Sequence, residues 1–276
     1  MSELSPQSFD LLARFLKRES GIVLKPEKSY SLRSKLRPLA REWGYDGLND
    51  LVAHVHRERH NPEVVEAILN ALTIKETSFF RDGRPFEVLQ SHVLPALAER
   101  RGGRDLKLWS AACSTGQEAI SLAINLRESL SPDQADQCMV VGTDVSQKAI
   151  SRAKSAVYSE LEMQRGLPPD LRRRYFEPVE GGYRPVAEIR NMIRYRTMNV
   201  LEADFPLSRF DLVLCRNVLI YFDEEGRRKA LDTVHQRLTA GGYLFTGAGE
   251  DAQRMDNRFE RDRIDGVQCF RKGREA

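Results

Sequence analysis

Three short stretches concentrate the side chains able to do chemistry. "SAACSTGQEA" at residues 110–119 carries Glu118 at the start of a helical pattern, "VVGTD" ends on Asp144, and "LVLCRN" ends on Arg216 and Asn217. The first lies between the apolar run "DLKLW" and "ISLAINLRESL". That is strand, loop, helix, the layout in which a nucleotide sits on a helix N-terminus. A dinucleotide loop reads G-x-G-x-x-G so that the backbone can approach a pyrophosphate, yet only Gly116 is present here. Asp144 follows Gly116 by 28 residues, one βαβ step on, where an acidic side chain can accept both ribose hydroxyls.

Glu118 sharpens this reading. A carboxylate in the first helical turn would repel phosphates but could hold an ammonium. Ribose plus ammonium without pyrophosphate describes S-adenosylmethionine. Each element also has a plainer reading. Asp144 could be a helix N-cap in "TDVSQKA". An acidic first turn is favoured by the helix dipole in any case. "FDLVLCRNVLIYF" could be only a buried strand and turn. The joint spacing favours the ligand.

Elements of two kinds must position these residues. Up to about residue 75 the pattern is helical: Phe9, Leu12, Phe15 and Leu16 recur at helical spacing, as do Leu48, Leu51, Val52 and Val55, then Val64, Val65, Ile68, Leu69 and Leu72. Pro62 and Gly44 suit helix boundaries. Beyond "TIKETSFFRDGRP", the strand-like runs "LKLWSAAC", "CMVVGTDV", "FDLVLCRN" and "YLFTGAG" alternate with helical stretches at 117–130, 146–157 and 223–238. Short, nearly continuous apolar strands between helices predict a parallel sheet covered on both faces. The segment "RRRYFEPVEGGYRPVAEIRNMIRYRTMNV", with a Gly-Gly turn flanked by Tyr183, Pro185, Ile189, Ile193 and Tyr195, reads as a short antiparallel excursion. "VQCFRK" can return antiparallel to "YLFTGAG".

The chain has 276 residues, 41% apolar and 30% charged, with a net charge of +3, the composition of an ordinary soluble globular protein. Residues 14–41 are less balanced, with nine Lys or Arg against Glu19 and Glu27. Such a field attracts an acidic partner. Arg33, Arg37 and Arg41 share one helix face and Leu32, Leu36 and Leu39 the other. Pro38 interrupts the hydrogen-bond ladder, so two helices could meet there. The plainer reading is solvated surface. The basic run lacks the aromatic interleaving of a nucleic-acid platform. His54, His56 and His60 sit in a polar stretch and read as a solvated face, so no metal is expected. The four cysteines show no C-x-x-C and read as small buried hydrophobes in a reducing compartment. The N-terminus lacks the apolar core of a signal peptide, and a cytoplasmic location is expected.

At this point the motifs carry a resemblance. "TIKETSFFR" (73–81), "WSAACSTGQEAISLA" (109–123), "GTDVSQKAISRAKSAVY" (142–158), "RYF" (174–176), "MNVLE" (198–202) and "LVLCRNVLIYFD" (212–223) occur in order. Together they resemble the chemotaxis receptor methyltransferases, the CheR-type protein-glutamate O-methyltransferases, over nearly the whole chain. The resemblance implies an α/β, Rossmann-like S-adenosylmethionine-dependent methyltransferase sheet with a small all-α N-terminal domain and an inserted antiparallel β-subdomain. The expected bounds are 1–75 for the helical, receptor-docking domain and 76–90 for a linker. The methyltransferase domain takes 91–276, with the β-subdomain at about 177–198.

It also implies roles. Glu118 would hold the methionine ammonium, with Arg81 and Thr77 near the carboxylate end and the methyl. Asp144 would bind the ribose, Asn199 and Val200 would reach the adenine, and Arg216 and Asn217 would line the pocket floor. Tyr221 would face the sulfonium near the incoming carboxylate. Arg81, Arg216 and Tyr221 are thus the expected catalytic residues, with Arg81 or Arg216 orienting a carboxylate. The plainer reading of Arg81 is a salt bridge with Asp82 or Glu87. Arg33, Lys35 and Arg37 would dock onto the cytoplasmic helical methylation region of chemoreceptors. The implied reaction yields glutamate methyl ester and S-adenosylhomocysteine, carried out by a monomer that meets the membrane only through receptors. Lys75, Gln117 and the short Gly-Gly turn at 181–182 depart from the commoner family pattern, and the last puts tethering of a receptor tail in doubt. The alternatives are a methyltransferase of another protein or of nucleic acid, and a non-catalytic cofactor-binding adaptor.

Overall fold

Four helices open the chain, each with one apolar stripe. They are α1 (Pro6–Ser20), α2 (Ser29–Glu42), α3 (Leu48–Arg57) and α4 (Pro62–Leu72) in a computed structural model that describes residues 4–102, 105–202 and 209–273. Ser5 caps α1 by accepting the Ser8 N–H at 3.1 Å, and Asn61 caps α4, which begins on Pro62. Leu12 and Leu16, Leu36, Leu51, and Ile68 meet in a single core with almost no exposure. The break allowed at Pro38 does not occur, for α2 runs through it. Proline removes one ladder bond, and Leu36, Leu39 and Ala40 on either side of it are buried, so packing holds the helix across the gap.

The stretch expected as a linker, 76–90, is partly helical. A helical rod begins at Arg84: α5 (Arg84–Val88), one π-helical turn (Leu89–Val93) and α6 (Leu94–Arg100). Phe86, Val88 and Leu89 are buried against one face of the sheet. Gly83 and Pro85 resemble breakers, but Pro85 occupies the first turn, where it costs nothing. The π turn then shifts the apolar period, so a regular helical stripe is not visible in the sequence.

The remaining elements are β1 (Lys107–Ala111), α7 (Gln117–Ser129), α8 (Pro132–Asp136), β2 (Met139–Asp144), α9 (Gln147–Ser155), α10 (Glu160–Met163) and α11 (Pro169–Tyr175). They continue with β3 (Phe176–Val179), β4 (Gly182–Pro185), α12 (Ala187–Asn191), β5 (Ile193–Thr197) and β6 (Phe210–Cys215). The chain closes with α13 (Glu224–Arg237), β7 (Leu238–Thr246), α14 (Ala252–Met255), β8 (Phe259–Ile264) and β9 (Val267–Lys272). Seven strands form one sheet in the order β5-β2-β1-β6-β7-β9-β8, parallel through β7 and antiparallel thereafter. Side-chain alternation sends Leu108, Val140, Leu212 and Leu214 into the core on one face, and Trp109, Val141, Val213 and Cys215 into the core on the other.

The antiparallel excursion is smaller than expected. It is the hairpin β3–β4, which the bridge between Tyr158 and Tyr183 fastens to the body. Ile193 and Tyr195 instead lie in β5, parallel to β2 at the edge of the main sheet. An edge strand with one exposed face alternates in polarity like a hairpin strand, and the five-residue α12 before it is too short to show a period. β8 was not foreseen, because "FERDRI" is mostly charged and only Phe259 at its start is fully buried. No helix among the described residues is long and apolar enough to cross a membrane.

Candidate active site

After β1 the chain moves outward to β2 and β5, then returns to the other side of β1 as β6. That reversal opens a crevice at the carboxyl ends of β1 and β6, where open α/β sheets bind ligands. A cavity of about 490 Å³ lies there, walled by these strand ends and by residues of the helical unit such as Ile22, Lys35 and Leu72. Thr77, Arg81, Glu118, Asp144, Asn199, Val200, Arg216, Asn217 and Tyr221 all border it.

The loops carrying these residues are held in costly backbone conformations. Ala112 (φ 58°), Ser114 (φ 51°) and Asn217 (φ 58°) are left-handed without being glycine, as are Phe80 (φ 45°) and Asp82 (φ 69°) in the turn beside Arg81. Gly116 is the one position in the β1 loop that must be glycine. Its φ is 97°, and a Cβ there would meet the Tyr195 hydroxyl at 2.7 Å and Ala153 Cβ at 2.9 Å. Tyr158 pins the same loop by donating to the Thr115 carbonyl at 2.8 Å.

Asp144, at the end of β2, accepts the Ser114 N–H on one oxygen and the Ser146 N–H on the other, both at 2.9 Å. The capping residue of α9 is Ser146, not Asp144. Burial raises the Asp144 carboxyl above the usual aspartate range, opposed by the two N–H groups and the Lys75 ammonium. Each carboxylate oxygen keeps a lone pair free of these amides.

Glu118 is buried at the start of α7. It accepts from the Ser110 hydroxyl at 2.7 Å and from Arg216 at 3.1 Å. The Glu118 carboxylate therefore has a cation beside it. Arg216 is itself committed: its guanidinium also donates to Asp82 at 2.7 Å and to the Arg81 carbonyl at 2.9 Å, and packs over the Phe86 ring. With those partners it ties β6 to α7 and to the 80–82 turn.

Arg81 pairs with neither Asp82 nor Glu87; it donates to the Glu76 carbonyl at 3.1 Å, while Asp82 takes Arg216 and Glu87 takes Arg84. Tyr221 lies close enough for the Arg81 charge to be felt by its phenol, whose pKa burial nevertheless raises. Asn199 donates to the Glu19 carbonyl at 2.9 Å and accepts from the Leu201 N–H at 3.1 Å, while Val200 beside it is buried. The Asn217 N–H donates to Glu250 at 2.8 Å.

The basic residues divide. Arg33 is half-buried and Arg37 exposed on α2. Lys35 points the other way, borders the cavity and donates to the Leu72 carbonyl at 3.3 Å. Residues two apart on a helix do not share a face, so Lys35 lies off the face that carries Arg33 and Arg37. The helical unit is stitched to the sheet at several points: Lys17 to Asp223 at 2.6 Å, the Val23 N–H to the Tyr221 carbonyl at 2.9 Å, and the Ser146 hydroxyl to Asn70 at 2.7 Å. Sequence reading missed Asn70, which no motif singled out, and Glu250, which follows the fourth apolar run and offered only a lone carboxylate as a signal.

Two family models cover most of the chain. The CheR methyltransferase all-alpha domain matches residues 7–73, and the CheR methyltransferase SAM binding domain matches residues 75–266. The chain belongs to the CheR family. It is similar to chemotaxis protein methyltransferase 1 of Pseudomonas aeruginosa, with 39% identity over 267 residues, 95% of this chain and 94% of that protein. The chemotaxis protein methyltransferase of Vibrio anguillarum is 35% identical over 260 residues, 93% and 94% of the two chains. That of Escherichia coli K12 is 29% identical over 260 residues, 93% and 88%. This CheR protein is a chemotaxis methyltransferase, and its methyl donor is S-adenosylmethionine. The donor set fits that molecule. One carboxylate, backed by two amides, faces the cavity from β2, and a second occupies the helix N-terminus where a phosphate would otherwise lie.

Proposed function

We propose that the protein methylates glutamate side chains in the cytoplasmic helical methylation region of chemoreceptors, giving glutamate methyl ester and S-adenosylhomocysteine. The observation that carries the reading is that Asp144 at the end of β2 and Glu118 at the start of α7 border one cavity that the basic helical unit also walls. S-adenosylmethionine, when bound, supplies a methyl group activated on a sulfonium sulfur. Asp144 would accept the ribose hydroxyls, Glu118 the ammonium, and Asn199 and Val200 would reach the adenine. Thr77 and Asn217 would complete the walls.

The acceptor needs no general base, because a glutamate side chain with a pKa of about 4.3 is ionised at neutral pH. The chain's task is in-line approach, an orientation effect that can reach roughly 7–11 kcal/mol. With Arg216 held by Glu118 and Asp82, Arg81 is the arginine left to orient the acceptor carboxylate. The Tyr221 phenol, its pKa raised by burial, stays protonated at neutral pH and can donate to the same group. Arg33 and Arg37 would meet the acidic receptor helices, and Lys35 would serve the cavity instead.

The test is transfer of radiolabelled methyl from S-adenosylmethionine to membranes bearing receptors, followed by mild alkali. Label released by alkali supports a carboxyl ester. Alkali-stable label on protein or nucleic acid, or no transfer at all, would replace this reading with one of the others.

A further inference from the structure

Glu250 is a buried carboxylate, 2% exposed, with no cation within ion-pair distance among the described residues. Among the described residues its carboxylate is met by backbone N–H groups alone. One oxygen accepts the N–H of Asn217 at 2.8 Å and of Gly247 at 2.7 Å, and the other accepts the N–H of Ile220 at 3.1 Å. Two of these donors belong to the segment after β6 that carries Arg216, Asn217 and Tyr221, and Asn217 is left-handed at φ 58°. Such a conformation persists only when its surroundings over-determine it. Gly247 leaves the space: a Cβ there would lie 2.7 Å from the Glu250 carboxylate, 2.9 Å from the Asn217 amide nitrogen and 3.0 Å from the Asn217 backbone nitrogen.

We infer that Glu250 is a positioning residue, which clamps the 216–221 segment so that Arg216 meets Glu118 and Tyr221 faces the cavity. The inference rests on the proposed reading of Glu118 and Tyr221. A carboxylate suits the task because it is acceptor-only, and three converging N–H groups need acceptors on both oxygens. A charged acceptor also makes the stronger bonds. An amide of the same shape cannot replace it. If Gln kept its oxygen toward Asn217 and Gly247, its NH₂ would face the Ile220 N–H, donor against donor.

Glu250→Gln and Gly247→Ala are compared with the wild type by calorimetry with S-adenosylhomocysteine, at a temperature where circular dichroism reports each folded. The binding stoichiometry measures the competent fraction, and the constant measures the site. The expected result for both variants is affinity weakened about tenfold or more at a stoichiometry near one, with kcat on receptor membranes falling as well. A lower melting temperature or stoichiometry with the constant and kcat unchanged would make Glu250 merely structural and overturn the inference. If Glu250→Gln does not fold, Gly247→Ala decides by the same readings. Asp144→Asn runs alongside. If it weakens binding while Glu250→Gln and Gly247→Ala do not, only the clamp fails. If it too binds normally, the reading of the site fails.

Discussion

The Ser114 N–H donates to Asp144 at 2.9 Å, which fastens the loop after β1 to the end of β2. One carboxylate thus shapes the loop and faces the cavity with its remaining lone pairs. Asp144→Asn places an NH₂ against either the Ser114 or the Ser146 N–H and removes the charge. Loss of one charge-assisted bond, about 1.5–3 kcal/mol, should weaken S-adenosylhomocysteine roughly 10- to 100-fold. Calorimetry on the folded variant reads this directly.

Acidification should act through the same residue. Burial raises the Asp144 pKa, so it takes up its proton at a higher pH than an ordinary aspartate. The protonated acid accepts hydroxyl bonds poorly, so cofactor affinity should be full above the raised pKa and fall as pH drops through it. The Lys75 ammonium favours the ionised form. Lys75→Met should move the loss of affinity to higher pH, as a titration series from neutral to acid would register. A profile identical to the wild type would remove Lys75 from the account.

Gly116→Ala adds a methyl group 2.7 Å from the Tyr195 hydroxyl at a left-handed position. Backbone strain and overpacking each cost about 1–3 kcal/mol. Differential scanning calorimetry should give a melting temperature lower by several degrees, and affinity for S-adenosylhomocysteine should fall with it because Ser114 shares the loop. An unshifted melting temperature would mean that the loop relaxes freely.

Arg37 is exposed on α2 and has no part in the cavity. Arg37→Glu should therefore leave S-adenosylhomocysteine affinity unchanged and reduce methyl transfer to receptor membranes about tenfold, more at low salt than at high, as screening requires. Equal activity at low salt would count against docking on this face.

How much of this was legible beforehand follows from which interactions are local. The helical unit and the parallel strands announce themselves through the period of Leu12, Leu16 and Ile68 and the apolar run of Phe210–Cys215. Of the wall residues, Glu118, Asp144, Arg216 and Asn217 follow from motif spacing at strand ends and a helix start, whereas Thr77, Arg81, Asn199, Val200 and Tyr221 follow only from the family resemblance. What stayed hidden depends on partners distant in sequence. That Arg216 is spoken for requires knowing that Asp82 lies 134 residues away and within 2.7 Å. That Lys35 turns inward requires the end of α4. Glu250 gathers three N–H groups from two loops, which no local pattern records. β5 was misassigned for a related reason, because polarity alternation does not say which neighbour a strand will find.

Asp144 and Glu118 are proposed to grip the two ends of one cofactor across this cavity. A crystal structure of the protein with S-adenosylhomocysteine tests this most directly. The ribose hydroxyls should lie within hydrogen-bonding reach of Asp144 and the amino group of the homocysteine end against Glu118, with Arg216 still bonded to that glutamate. A ligand whose ribose or amino group lies away from either carboxylate would contradict this assignment.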